Sequence, residues 1–209
     1  MTPGAPYRWT DEAAIRAFVA QTGFGLLSVA AGGDVHVVHL PLVWLDDRRI
    51  GLHIHRANPI LRHLDGRTAL IVVTGPNAYV SPDWYGLPDK VPTWNYLSAE
   101  LRGPMVRLDR DATIAQIDAL SQEQEARLAP KPVWTRDKMG PGQFDRLLSG
   151  LVGFEMRVAT LHGTAKLGQD KPHKARRGVA QALADRGEGA LAALSLAPLA
   201  DTIPETGRP

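Results

Sequence analysis

The chain has 209 residues, 44% of them hydrophobic and 22% charged, a balance that suits a globular protein able to bury a sizeable core. It contains no cysteine, which excludes a disulfide framework, a thiolate metal site and a cysteine nucleophile and is compatible with a reducing compartment. The net charge of +2 is too small to signal nucleic-acid binding by itself.

The N-terminal stretch MTPGAPYRWTDEAA lacks the apolar core of a secretory signal. No uninterrupted apolar run reaches the roughly 20 residues that span a bilayer, so a cytoplasmic protein with no membrane partner is expected. Thr10 is predicted to cap a helix from Asp11 to about Gln21, with Ala14, Ile15, Phe18 and Val19 on one stripe and Gly23 as its stop. FGLLSVA, VHVVHLPLVWL and IGLHIHRA follow, separated by the turns AGGD and DDRR, and read as an antiparallel meander. Asn58 and Pro59 open a short helix to about Leu64, because Asn caps well and Pro fits a first helical position.

RTALIVVTG reads as a near-continuous apolar strand, GPNAYVSPDWYGLPDKVPT as a loop, and Trp94 to Leu108 as a long extended segment. Helices are predicted over about 111–127, with Ile114, Ile117 and Leu120 at core spacing, over 143–148 and over 175–184. LVGFEMRVATLHGTAKL is the last β signal. The pattern predicts a mainly β (α+β) protein, with about six or seven antiparallel strands closing into a barrel and with peripheral helices. One domain over 1–185 with helical appendages is expected, followed by a Gly/Ala/Pro-rich tail at 186–209, partly disordered.

Five of the seven histidines lie between positions 36 and 63: His36, His39, His53, His55 and His63. His53 and His55 share a strand face, a geometry a metal could use. With no HExxH, no carboxylate at ligand spacing and no thiolate, histidines that pack or hydrogen-bond a cofactor are the preferred reading, and no metal is expected. In HIHRANP a strand hands over to an Asn-capped helix beside Arg56, a combination able to seat a phosphate; the alternative is a surface charge next to an ordinary cap. In VPTWNY, Trp94 and Tyr96 lie on one face and Asn95 on the other. The aromatics can stack on a flat ring whose heteroatoms the amide addresses, or they can be core.

Lys166, Lys171, Lys174, Arg176 and Arg177 form a basic run that suits a solvated face, an anionic-ligand site or DNA phosphates. GxGxxG, GxxxxGK[ST] and GxSxG are all absent, and no catalytic acid–base pair can be named.

Four blocks, His39-Leu40-Pro41, LHIHRANP (52–59), GPNAYVSPDWYGLPDKVPTWNY (75–96) and GFEMRVATLHGTAKLGQDK (153–171), make the chain similar to the PaiB family of FMN-binding negative transcriptional regulators over about residues 7–185. The resemblance implies a six-stranded split barrel, like the pyridoxamine-phosphate-oxidase class, that forms a homodimer with FMN at the subunit interface. It places Arg56, Ala57 and Asn58 at the phosphate, and His39 and His55 beside the flavin. Trp94, Asn95 and Tyr96 would approach the flavin from the next strand, while Lys166 and Gln169 would close the site from the partner subunit. Gly168 and Asp170 depart from the family's Ser-Gln-Asn, and the lost hydroxyl and added charge predict weaker anion binding there. A redox or sensing role for the flavin follows from the resemblance. The alternatives are a DNA-binding repressor with structural flavin, and a haem-binding split barrel that uses one of the histidines.

Overall fold

The computed structural model describes residues 7–197, and within them the chain divides into two compact units. One comprises 18–73 and 100–161; the other comprises the described residues up to Ala17, Thr74–Ala99 and those from His162 on. Nine strands make up the sheet: β1 (Arg8–Trp9), β2 (Phe24–Ala31), β3 (Asp34–Pro41), β4 (Val43–Trp44), β5 (Arg49–His55), β6 (Thr68–Val80), β7 (Thr93–Arg107), β8 (Leu151–Arg157) and β9 (Thr160–Lys166). Their order is β3-β2-β6-β7-β8-β5-β4, with β9 joining β7 and β1. The helices are α1 (Glu12–Thr22), α2 (Arg110–Ala126), α3 (Gln143–Leu148), α4 (His173–Asp185) and α5 (Gly189–Leu196). The mainly β, antiparallel split barrel with peripheral helices is therefore present, with nine strands where six were expected.

The extra strands have local causes. The single expected strand VHVVHLPLVWL breaks at Leu42, whose N–H donates to Gly23 O (2.9 Å) rather than to a ladder, leaving β3 and the two-residue β4. The last β signal divides at Val158–Ala159 into β8 and β9, with the Val158 and Ala159 N–H groups donating to Arg48 O and Arg102 O. β6 runs on through the expected loop to Val80, because Ala78 and Val80 alternate into the interior at 8% and 0% exposure.

In the unit of 18–73 and 100–161, β2 and β3 pair in register from Phe24↔Pro41 to Ala31↔Asp34. They turn at Gly32 and Gly33, both at positive φ, as a tight hairpin requires. Leu27, Val29 and Ala31 point inward on the period of a half-buried strand. The core gathers Ile50, Leu52, Ile71, Met105, Phe154 and Met156.

Helix α2 is capped by Asp109, which accepts from Ala112 N at 2.8 Å. It buries Thr113, Gln116 and Leu120 rather than the expected Ile114 and Ile117, which are only half-buried. The cause is a glycine cradle: a Cβ at Gly153 would stand 2.3 Å from Thr113 Oγ1, and one at Gly51 would stand 2.6 Å from Gln116 Cγ.

In the other unit β1 pairs with β9 through Trp9↔Gly163, and Ile15 of α1 fills the space that a side chain at Gly163 would need. The α1 cap is Asp11, which accepts from Ala14 N at 2.9 Å; Thr10 was the expected cap. α4 packs on the 3-10 turn Pro82–Tyr85, where Gly178 lies against Trp84 O, and on α5. α5 forms within the stretch from Arg186 that sequence assigns to the tail; residues 198–209 lie outside the described part. Among the described residues no helix is long and apolar enough to cross a membrane.

Candidate functional site

Each unit holds five of the ten residues that the sequence singles out. In the first, β5 ends at His55 and the chain turns sharply, with Asn58 N donating to His55 O (2.8 Å) and Ala57 N to His55 Nδ1 (3.2 Å). Asn58 Oδ1 then accepts from Ile60 N (3.1 Å) and caps the 3-10 helix Pro59–His63, which buried Ile60 anchors. Arg56 is exposed but not loose: its backbone N–H donates to Gly150 O (2.7 Å) and its Nε to Ser149 O (2.8 Å). Its two terminal guanidinium nitrogens, the pair that grips an oxyanion in a fork, have no partner among the described residues.

Arg56 lines a cleft of about 350 Å³ together with Arg107, Arg110, Thr113, Ser149 and Gly153. Arg110 is paired with Asp145 at 2.5 Å, and Asp109 also lines the cleft, whereas the Arg56 and Arg107 guanidiniums make no ion pair among the described residues, so three arginines stand against two carboxylates. Excess positive charge is thus held at a partly enclosed place.

The clustered histidines are already engaged. His36 and His63 stack with centroids 4.2 Å apart, and His39 stacks on exposed Phe24 at 6.2 Å and 15°. His53 Nδ1 lies 3.3 Å from Gln116 Oε1, and His55 accepts from Ala57 as above. Among the described residues no three His, Asp or Glu side chains come together in a group able to hold a metal ion.

Burial pushes the His53 imidazole below its ordinary pKa, only partly opposed by the bond to Gln116. The unfolded chain therefore takes up a proton near the ordinary histidine value of about 6.5 that the folded chain still refuses. Stability accordingly falls as pH drops through that value. We expect urea midpoints to drop between about pH 8 and pH 5, and His53→Gln to flatten the dependence. The residue of the slope belongs to His63, which burial and then the neighbouring His36, Arg67 and Arg62 depress in the same direction. An unchanged slope in His53→Gln would remove His53 as the cause.

In the second unit the N-terminal half of β7 turns its faces opposite to the core reading of its aromatics. Trp94 is 50% exposed, donating Nε1–H to Asn77 Oδ1 (3.1 Å) and meeting Tyr79 edge-on at 6.2 Å, and Tyr96 is half-buried. Asn95 is the inward residue, 1% exposed, and its Nδ2 has no hydrogen-bond partner among the described residues. Lys166 on β9 donates to Thr93 Oγ1 (2.5 Å) and holds its ammonium 5.7 Å from the Tyr7 ring centroid.

Gln169 spends both ends of its amide on its own turn, accepting from Leu167 N (2.9 Å) and donating to Ala165 O (2.6 Å). Gly168 within that turn has φ +74, a left-handed backbone that glycine adopts without strain, so a glycine there has a conformational reason. Asp170 is ion-paired with Lys171, which offsets the charge it adds.

Asn95 and Lys166 line a cavity of about 320 Å³ with Tyr7, Tyr85, Lys90 and Gly168. Sequence reasoning missed Tyr7, Tyr85 and Lys90 here, and Arg107, Arg110 and Ser149 in the first unit. They come from segments far apart in the chain, and no local spacing marks them.

Comparison with known proteins places these observations in a family. Residues 1–160 match a family model described as "Putative FMN-binding domain". The chain is 28% identical over 169 residues to the protease synthase and sporulation protein PAI 2 of Bacillus subtilis (strain 168), covering 79% of this chain and 80% of that protein. Among solved structures it is similar to an FAD and heme binding protein from Mycobacterium smegmatis, with TM-score 0.57 and 17% identity over 78% of this chain and 74% of that one. It is also similar to the flavocytochrome Anf3 from Azotobacter vinelandii, with TM-score 0.54 and 14% identity over 76% and 69% of the two chains.

Proposed function

The chain belongs to this FMN-binding, PaiB-like family of split-barrel flavoproteins, and from that premise we propose that it holds FMN by its phosphate at the Arg56–Asn58 corner and uses the flavin for electron transfer or redox sensing. The observation that carries the reading is the half-spent Arg56 guanidinium. Its Nε is fixed on Ser149 O while its terminal nitrogens stay available, so the fork is oriented before any ligand arrives. The residues fit the group: a phosphate needs charge and converging donors, and Arg56 supplies both at the edge of a cleft that Arg107 also lines. Ala57 offers a small side chain there, Asn58 shapes the turn, and in the same unit His39 of β3, stacked on Phe24 of β2, and exposed His55 of β5 provide flat and polar surface.

When bound, FMN supplies the hydride or single-electron chemistry. The chain's share is to anchor the phosphate, orient the ring and limit water.

The second unit's Trp94 and Tyr96, partly exposed, suit contact with a flavin or with a second copy of the chain, and a homodimer with FMN at its interface is part of this proposal. The DNA-binding alternative draws less support from the basic run. Lys166 points into the Asn95 cavity, Lys171 is paired with Asp170, and Arg176 reaches the α5 carbonyls of Ser195 and Leu196. Lys174 and Arg177 are left exposed, too few for a phosphate-tracking face. The haem alternative would need to free a histidine from the engagements described above.

The test is the absorption spectrum of the purified protein together with sedimentation. Flavin bands, release of FMN on denaturation and a dimer at micromolar concentration are expected. A haem Soret band, or a monomer when saturated with FMN, would count against the proposal.

A further inference from the structure

The unit formed by the described residues up to Ala17, Thr74–Ala99 and those from His162 on contains a feature that an anchored phosphate elsewhere does not explain. Asn95 is 1% exposed, and its Nδ2 donors meet no acceptor among the described residues. A buried donor left unmatched is costly, and buried polar groups almost always find a partner. The amide lines the cavity of about 320 Å³, and a Cβ at Gly168 would stand 3.8 Å from that nitrogen. A side chain at Gly168 would begin in contact with the amide nitrogen, so the glycine leaves that flank of it without a covering side chain.

The surroundings define what could fill it. Lys166 is half-buried, and among the described residues its ammonium meets the Thr93 hydroxyl and the Tyr7 ring. Lys90 and Lys171 add positive charge, and Asp89 and Asp170 oppose it, so three lysines against two acids leave one positive charge in surplus. Asp170 is committed to Lys171, whereas Lys166, which lines the same cavity as the amide, makes no ion pair among the described residues. Burial, and next the Asp170 charge, raise the Tyr7 and Tyr85 hydroxyls above the ordinary tyrosine value, so both remain neutral. Asp89 holds a left-handed backbone at φ 56, a strain of the kind that clusters around binding sites.

We propose that this cavity binds a small organic carboxylate, with one carboxylate oxygen on Asn95 Nδ2, the charge matched by Lys166, and the organic body against Tyr7, Tyr85 and Val91. A carboxylate only accepts hydrogen bonds, as an orphaned amide N–H and an ammonium require, and it carries the single charge the lining leaves uncompensated. A metal cation would leave the Nδ2 donor unmatched, because an amide nitrogen donates and cannot ligate, and it would add to a lining already in positive surplus. A bare ion would leave most of the volume and both aromatic walls without contact.

The experiment is calorimetric titration of the full-length protein, FMN-free and FMN-loaded, with benzoate as probe. Benzamide serves as its neutral isostere and inorganic phosphate as a bare oxyanion. Saturable benzoate binding is expected in both forms of the protein, with benzamide and phosphate at least about tenfold weaker. Lys166→Met and Asn95→Asp should each weaken benzoate about tenfold or more. Asn95→Leu should lose benzoate while raising the melting temperature, because it removes the unmatched donor; a merely structural Asn95 would show the opposite shift. Arg56→Ala should leave benzoate affinity unchanged, which separates failure of this proposal from failure of the flavin reading. Benzoate binding that is absent, indifferent to Asn95→Leu, matched by phosphate, or displaced in competition by FMN would overturn the proposal.

Discussion

Arg56→Ala is expected to weaken FMN binding by about 1.5–3 kcal/mol, roughly ten- to a hundredfold, read as the dissociation constant from flavin fluorescence titration. The magnitude is that of charge-assisted bonds from a guanidinium whose terminal nitrogens have no other partner. Arg56→Lys should recover only part of it, because a lysine cannot both occupy Ser149 O and present a planar fork. Riboflavin, which lacks the phosphate, separates ligand contact from damage to the turn: it should bind the native protein more weakly and be nearly indifferent to the substitution. Loss of the Nε bond to Ser149 O also costs stability, on the order of 1 kcal/mol, so the affinities must be compared where both proteins are folded. Equal FMN affinity in folded Arg56→Ala would move the phosphate seat elsewhere in the chain.

The Arg56 corner was legible because its signals are local. Asn before Pro at the end of a strand caps a short helix whatever the rest of the fold does, and Asn58 does so. The phase of β7 was also legible, though not from the aromatic residues alone. Asn95 shares its phase with Leu97, Ala99 and Leu101, whereas Trp94 and Tyr96 share theirs with Ser98 and Glu100, so the downstream residues decide which face is inward.

The buried face of α2 could not be read from its own helix. Ile114 and Ile117 are the apolar choice, and Thr113 and Gln116 win because Gly51 and Gly153, far away in sequence, open space for them across the sheet. The same holds for the Asn95 cavity, where Tyr7, Tyr85 and Lys166 meet only after the strands have paired. Local chemistry is written in local sequence, whereas enclosure depends on which distant backbones come close.

Gly103 is the position where such a close approach is tightest, and Gly103→Ala is expected to cost roughly 3 kcal/mol or more, at the upper end of what overpacking a tight interior does. A Cβ there would stand 1.9 Å from Arg157 O and 2.8 Å from Arg157 C, both backbone atoms, so no rotamer change can relieve the contact. Nor can the opposing chain retreat freely. Ala159 N is bonded to Arg102 O at 2.8 Å and Val158 N to Arg48 O at 2.8 Å, while β8 is held in register with β7 by Met105↔Met156 and with β5 by Ile50↔Met156. Moving the bend at Val158–Ala159 to admit one methyl would disturb both ladders around Met156, which is 0% exposed.

Gly32→Ala is the control. Gly32 has φ +63 but nothing within 4 Å of an added Cβ, so it should cost only the left-handed backbone strain of about 1 kcal/mol. Urea denaturation of the two variants checks the contrast. If Gly103→Ala proved no more destabilising than Gly32→Ala, the backbone at Arg157 would have to be free to move, and the bend that divides β8 from β9 would not be fixed by this contact.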